Sequence, residues 1–401
     1  MKNKTAIVKL IWIGLAIVIL TACQQNKPYE ISNPGNGDVI DRAVVISRQE
    51  VSSYLDVTDA DSLVLVKDEN GDLLASQCDD LDGDGKWDEL AFLCDLEAGE
   101  TKKVVLETAD TLPVYPVRTN IRFGRMGKPF KEVTGDLRMK TNDTKFTAPV
   151  YQMEGPAWEN ELIAFRNYYD ARNGIDIFGK RTAAMVMDSV GVNGRDYHTL
   201  ADWGMDILKV GNSLGAGAIA IGIGDSLYRV GPCEEGRYRL VTEGPVRAIL
   251  ELTYKNVPAG DRLYNVTHQI AIYAGDRFYR SRVWVSSLRG DEELVTGIVD
   301  LHQIPADTLS EETRKIMYAL GNQGFDGEVL GMGIVFPSGQ FTRYWEAPVA
   351  GSGIVNTHLV SLTLNNNAPT EYYFLAAWEK QDLRVKEKEY FMGLLREAAG
   401  R

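Results

Sequence analysis

The chain has 401 residues, with 56 Asp and Glu against 43 Lys and Arg, giving a formal charge of −13. So acidic a protein repels phosphate and uronate in its far field, which excludes general polyanion and nucleic-acid binding. An anionic ligand has to meet a local cluster of arginine and lysine, and the length suits two domains rather than one core.

The first residues fall into three zones. Lys2, Lys4 and Lys9 form a basic start, Leu10 to Leu20 is an uncharged apolar run, and Leu20-Thr21-Ala22-Cys23 closes it with small residues before a cysteine. That order is a secretory signal, and an apolar run of this length is too short to span about 30 Å of hydrocarbon. The closing four residues resemble the lipobox of bacterial lipoproteins, which implies lipidation of Cys23 and a membrane contact made through the lipid anchor only. Gln24 to Lys27 lacks the acidic run of surface-export signals, so an outer-membrane anchor facing the periplasm is expected rather than the cell surface. Removing residues 1–22 takes away three lysines and no acid and moves the formal charge from −13 to −16.

Residues 23–38 are polar and rich in Asn, Gly and Pro, the composition of a flexible tether. From there to residue 116, short alternating runs (AVVISR, SLVLVK, KKVVLE) separated by turns such as Glu69-Asn70-Gly71-Asp72 predict a small all-β sandwich over 39–116. Cys78 and Cys94 lie within it, in a compartment that permits a disulfide, and Cys233 would be left over; the alternative is three small buried hydrophobes. Within the same region, Asp80-Leu-Asp82-Gly-Asp84-Gly85-Lys-Trp-Asp88-Glu89 places carboxylates at alternate positions, as a hard cation requires. Asp80, Asp82, Asp84 and Asp88 are therefore candidate ligands for a structural Ca2+. Position twelve of the loop is Ala91, however, so the bidentate glutamate is missing unless Glu89 replaces it. An acidic β-turn with aspartates capping backbone N–H groups is the competing reading.

Residues 117–401 carry strand after strand (AAMVMDSV, GAIAIGIG, GPVRAILELTY, YNVTHQIAIYAG, RFYRSRVWVSS, TGIVDLH, EYYFLAAWE), and helical spacing is confined to Lys380–Ala399. A large β-sandwich is expected. Its segment 154–181 is dense in functional side chains, including Glu154, Trp158, Glu159, Arg166, Tyr168, Tyr169, Asp170, Arg172, Asp176 and Lys180. Guanidinium forks match carboxylates and aromatic faces stack on sugar rings, so a uronic acid can be held here. Mutual pairing of the Arg and Asp residues is the simpler alternative. A second block, Tyr197-His198-Thr199 to Trp203, Asp206 and Lys209, adds a histidine. His268 shares an alternating face with Val266 and Ile270, which argues for a core position as much as a catalytic one. His302 ends a strand run, and His358 offers no pattern.

Two sets of residues carry a family resemblance. Glu243-Gly-Pro-Val-Arg-Ala, followed by Ala274-Gly275-Asp276-Arg277-Phe, resembles galactose-mutarotase-like supersandwich domains, which implies that fold and the company of sugar epimerases, glycoside hydrolases and polysaccharide lyases. Trp158-Glu159 to Asp170, with Asp176-Ile-Phe-Gly-Lys180 and Trp203-Gly-Met-Asp206-Ile-Leu-Lys209, resembles an uncharacterised lipoprotein family of Bacteroidetes. The resemblance implies a context of gene clusters that degrade pectin-like and other uronate-containing glycans.

On that footing the expected substrate is a uronate-bearing oligosaccharide, and three chemistries fit. A lyase would neutralise the carboxylate with Arg166 or Arg172 and use His198 or Tyr169 as base and acid, with Asp206 nearby. A hydrolase would need two carboxylates about 5–9.5 Å apart, and an epimerase would pair a histidine with an acid. Trp158, Glu159, Tyr168, Asp170, Lys180, Trp203, Lys209 and His268 are the expected substrate contacts. The lyase is favoured, against a non-catalytic glycan-binding lipoprotein or a plain structural β-protein. The sequence contains no Gly-x-Ser-x-Gly elbow, Walker A loop or His-Glu-x-x-His helix, so serine hydrolase, kinase and zinc protease readings fall away.

Overall fold

A computed structural model describes residues 27–57, 62–139, 150–192, 196–366 and 368–401. The signal segment and Cys23 lie outside the described residues. The architecture is all-β, as the alternating runs predict, with antiparallel pairing throughout its sheets. Among the described residues no helix is long and apolar enough to cross a membrane.

Two three-stranded sheets form the first sandwich. One has the order Tyr29–Ser32, Thr101–Ala109, Leu63–Lys67; the other, Val39–Ser47, Glu89–Leu96, Ser76–Asp79. They enclose a separate core of Ile46, Val64, Val66, Trp87, Phe92 and Leu106. The stretch expected to be a flexible tether is partly structured, because Tyr29–Ser32 pairs with Thr101–Val104 and buries Ile31 in that core. Cys78 and Cys94 are free thiols here, and burial pushes the Cys78 thiol up to about 11.

The second, larger body contains a nine-stranded sheet in the order Gly135–Met139, Glu235–Thr242, Arg247–Ala259, Arg262–Tyr273, Phe278–Ser286, Thr370–Trp378, Val329–Pro337, Arg314–Asn322, Asp307–Ser310. Two five-stranded sheets accompany it. One runs Gly204–Asp206, Ile175–Lys180, Ile163–Asn167, Ala157–Asn160, Thr119–Arg122; the other contains Ala216–Ile223, Glu292–Val299 and Thr357–Thr363. One apolar core joins all three sheets, with Trp158 and Phe165 from the first five-stranded sheet, Leu250 and Tyr279 from the long sheet, and Ile219 and Leu359 from the third. The expected helical tail is real but shorter, Lys388–Gly400, and packs Phe391 and Leu395 onto the long sheet beside Tyr318 and Leu375.

The two bodies are tied by charge. Arg247 of the long sheet is 3% exposed; its Nε donates to Asp79 Oδ2 at 2.7 Å and its Nη2 to Glu89 Oε2 at 2.7 Å. Gln77 accepts the backbone N–H groups of Val246 and Arg247 at 2.9 and 3.0 Å. A guanidinium taken out of water in this way costs several kcal/mol unless its hydrogen bonds are met, and the first sandwich meets them.

Candidate functional site

Strand alternation separates the first five-stranded sheet into two chemistries. Trp158 and Phe165 are direct cross-strand partners and point into the main core. Their neighbours Glu159, Arg166, Asp176, Phe178, Lys180 and Asp206 point the other way. Arg166 lies opposite Asp176, and Phe178 opposite Asp206, so the three charged groups share one patch of the outer face. Residues 181–192 and 196–203 fold over that face, where Met187 and Val190 pack with Ala157, Ala164 and Phe178.

Close backbone approaches hold the strands in place. A Cβ on Gly155 would sit 1.9 Å from the Asn167 carbonyl oxygen, and one on Gly204 (φ +133°) would sit 1.8 Å from the Gly179 oxygen. Only glycine fits either place. Met153 and Glu154 adopt consecutive left-handed conformations, φ 51° and 65°. Non-glycine residues rarely do so, at a cost of order 1–3 kcal/mol each, and here the turn aims the Met153 carbonyl at Arg166 Nη1.

Arg166 is the hub. It is 1% exposed and donates to Asp176 Oδ2 at 2.6 Å; Asp206 Oδ2 lies 3.8 Å from its Nη2 and Glu154 Oε2 3.6 Å from its Nη1. Burial alone would depress it, yet Tyr168, Asp176, Tyr197 and Asp206 outweigh burial and hold the guanidinium well above its ordinary value. Tyr168 is clamped between two arginines, its ring centroid 4.0 Å from the Arg166 Cζ and 3.9 Å from the Arg172 Cζ, and its hydroxyl donates to Asp176 at 3.1 Å. Arg172 in turn is held by Asp170 at 2.5 Å and Glu154 at 2.8 Å.

Asp206 carries the chemical character of the cluster. Burial, reinforced by the adjacent Asp176 charge, holds its carboxyl well above the usual range and so disfavours its ionised form. Its backbone N–H donates to the Tyr197 carbonyl at 2.8 Å, which places the next residue, His198, over it. His198 Nε2 lies 3.6 Å from Asp206 Oδ2, while Nδ1 faces Asp196 Oδ1 at 3.1 Å. Phe325 reaches the same spot from the loop before Val329–Pro337. Its N–H is bonded to the Ile207 carbonyl at 2.9 Å and its ring lies 5.6 Å from the imidazole. His198 and Phe325 are exposed; the acid and the arginine behind them are not. The arrangement sets an exposed imidazole against a buried carboxyl, a pair between which a proton can pass.

The structure therefore brings together Glu154, Arg166, Tyr168, Arg172, Asp176, Tyr197, His198 and Asp206 from the residues read off the sequence, and adds Phe325. Others are corrected. Tyr169 faces the core against Phe123, Tyr151 and Tyr238, with its hydroxyl bonded to the Gly236 carbonyl at 2.9 Å, so it reaches no substrate. Trp158 is 1% exposed against Phe165 and Tyr279 and presents no face to a sugar. Glu159 and Lys180 form a fully buried ion pair at 2.6 Å, and Glu159 also accepts the Val186 and Met187 N–H groups, so the pair fastens the covering segment. Asp170 serves Arg172. Trp203 packs on Phe178 from the covering segment, and Lys209 is exposed. His268 is 1% exposed in the main sheet, bonded to Ser281 at 2.7 Å, and burial pushes it down to about 3, which makes it a neutral core residue.

In the acidic loop, Asp80, Asp82 and Asp88 bring one oxygen each within 4.8 Å of one another. Asp80 also accepts the Gly83 and Gly85 N–H groups, Asp82 that of Asp84, and Asp84 that of Lys86. Glu89 is committed to Arg247, so it does not stand in for the missing twelfth ligand.

Residues 31–401 match the model of a family described as a domain of unknown function (DUF4861). No curated protein matches the chain. Among solved structures, an alpha-mannosidase from Enterococcus faecalis V583 is similar at 10% identity and a TM-score of 0.38, over 92% of this chain and 45% of that one. A protein in the glycosyl hydrolase family 38 from Enterococcus faecalis is similar at 9% identity and a TM-score of 0.38, over 92% of this chain and 46% of that one. The chain spans less than half the length of either, and a likeness of this degree says nothing about substrate.

Proposed function

Because the chain belongs to a family whose own description is a domain of unknown function (DUF4861), its activity has to be read from its own residues, and we propose that it is a carbohydrate-active lyase on uronate-containing oligosaccharides. The observation that carries the reading is an exposed imidazole, His198, standing 3.6 Å from a buried carboxyl, Asp206, whose ionised form burial disfavours. His198 removes the proton α to the uronate carboxylate, the bond to the leaving sugar oxygen breaks as the carbon–carbon double bond forms, and the imidazolium returns that proton to the departing oxygen. Asp206, Asp176 and Arg166 hold the imidazole against a polarised, water-poor wall. Arg166 is too enclosed to touch substrate, so neutralising the carboxylate falls to Arg172, which is partly exposed and would exchange Glu154 for the ligand.

Two-carboxylate glycoside hydrolysis fits less well. Its carboxyl groups flank the scissile bond about 5–9.5 Å apart, whereas Asp176 and Asp206 are buried and crowd onto the same Arg166 nitrogen, at 2.6 and 3.8 Å. The glycan class itself rests on the resemblance of residues 243–277 to sugar-active supersandwich domains. The proposed setting is the periplasmic face of the outer membrane, held by a lipid on Cys23; Cys23→Ser should then move the protein from the membrane fraction to the soluble one.

Incubation of the purified protein with galacturonate-rich oligosaccharides tests the reading. The expected result is a rise in ultraviolet absorbance from the new double bond, with one reducing end per event. Reducing ends without that absorbance would establish hydrolysis instead, and binding without any product would leave a glycan-holding protein.

A further inference from the structure

The nine-stranded sheet has an inner face in the main core and an outer face with two separate covers. At one side the helix Lys388–Gly400 lies on it through Phe391 and Leu395. At the other, Ala91 and Leu93 of the first sandwich pack on Val246 and Ala274. Between the covers is a cavity of about 210 Å3, walled by Leu81 and Glu89 and floored by Gln269, Arg280, Arg282 and Tyr373. This is a different sheet from the one that bears the His198 cluster.

Register explains why the floor is polar. Gln269, Arg282 and Glu371 are successive cross-strand partners in one row, and Ala271, Arg280 and Tyr373 form the next, all on the face opposite the core residues His268, Ile270 and Val283. Arg280 lies with its guanidinium carbon 4.1 Å from the Tyr273 ring centroid and 5.4 Å from that of Tyr373. Its Nη2 reaches Asp276 at 3.2 Å, while its Nε is buried with no hydrogen-bond partner. Arg282 meets Glu371 through Nε at 2.9 Å and is nearly half exposed. Three guanidinium groups line the cavity, those of Arg247, Arg280 and Arg282; their carboxylate partners are Asp79 and Glu89, Asp276 and Glu371, and the Arg280 Nε is left without one.

We propose that this cavity is a second binding site, taking the carboxylate of an acidic saccharide. A planar carboxylate fits the Arg282 fork beside Arg280, and the Gln269 amide is placed to bond a ring hydroxyl. The cavity holds one sugar residue rather than a chain, which makes it an end-on or side-branch site. An acidic saccharide held here binds whether or not His198 performs any chemistry.

Calorimetric titration of the full chain with a galacturonic-acid trisaccharide, and with a neutral galactose trisaccharide of the same length, tests this. The acidic sugar is expected to bind and the neutral one to bind at least about tenfold more weakly, as loss of one charge-assisted hydrogen bond implies. Arg282→Ala and Gln269→Ala, both at solvent-accessible positions, should each weaken the acidic sugar by about three- to tenfold. Wild-type affinity in both cavity variants overturns the proposal. So do equal affinities for the two sugars or failure of the wild type to bind the acidic sugar. Binding that depends on Arg282 without any elimination product would instead sink the lyase reading and leave this site standing.

Discussion

Asp206 and His198 face each other across the boundary between interior and solvent: their side chains are 2% and 46% exposed, with Oδ2 and Nε2 3.6 Å apart. The exposed partner makes few packing contacts, so His198→Ala should fold as the wild type does, with an unchanged melting temperature. Elimination from uronate oligosaccharides should nevertheless slow by about 10²–10⁴, the range for removing a general base. Unimpaired turnover in this variant would remove His198 from the mechanism.

Asp206 also leaves a signature in the pH dependence of stability. Its carboxyl is raised in the folded chain by burial and by Asp176, so above about pH 4 the folded state holds a proton that the unfolded state has released. Stability from this group is complete below the unfolded value and is lost as pH rises toward the folded one. Asp206→Asn keeps the shape and abolishes the titration. Urea unfolding at a series of pH values should show the downward slope in the wild type and a flatter curve in the variant; identical slopes would mean that Asp206 is ionised in the fold.

Trp158 tests the division between the two faces of its sheet. Stacked 6.0 Å from Phe165 and set edge-on 5.3 Å from Tyr279, it should behave as a core residue, so Trp158→Ala should cost about 3–5 kcal/mol in chemical unfolding. A sugar-stacking residue would instead lose affinity with little change in stability.

Asp79→Ala removes one of the two carboxylates on Arg247 and leaves a buried guanidinium half-satisfied. Breaking a buried pair from one side costs about 3–5 kcal/mol. Denaturant unfolding should register that loss, and Asp79→Asn, which keeps an acceptor for Arg247 Nε, should recover part of it.

The all-β architecture was legible because alternation is written locally: SLVLVK and KKVVLE each carry their own period and became paired strands of the first sandwich. The density of charged and aromatic residues in 154–181 pointed to the right sheet but not to the right face. A one-residue step along a strand sends Trp158 inward and Glu159 outward, and a run with every position buried (AWEN, IAFRN, IDIFGK) hides that alternation from composition. Tyr169 lies in the turn after Ile163–Asn167, where no alternation announces which way a side chain points. Asp176 was visible as the partner-in-waiting of Arg166 within one hairpin. Phe325, by contrast, comes from a loop more than a hundred residues downstream and carries no local signal, since only the fold brings it to His198. Reading Tyr29–Ser32 as tether failed because four residues beside Asn and Gly weigh too little in composition to announce an edge strand.

The buried fork of Arg247 also bears on how such a chain changes over generations. Its two acidic partners belong to the first sandwich and the arginine to the second body, so a recombination event that exchanged either half alone would strand a charge inside the protein. Substitutions at positions 79, 89 and 247 are therefore expected to be non-additive, each depending on the other two.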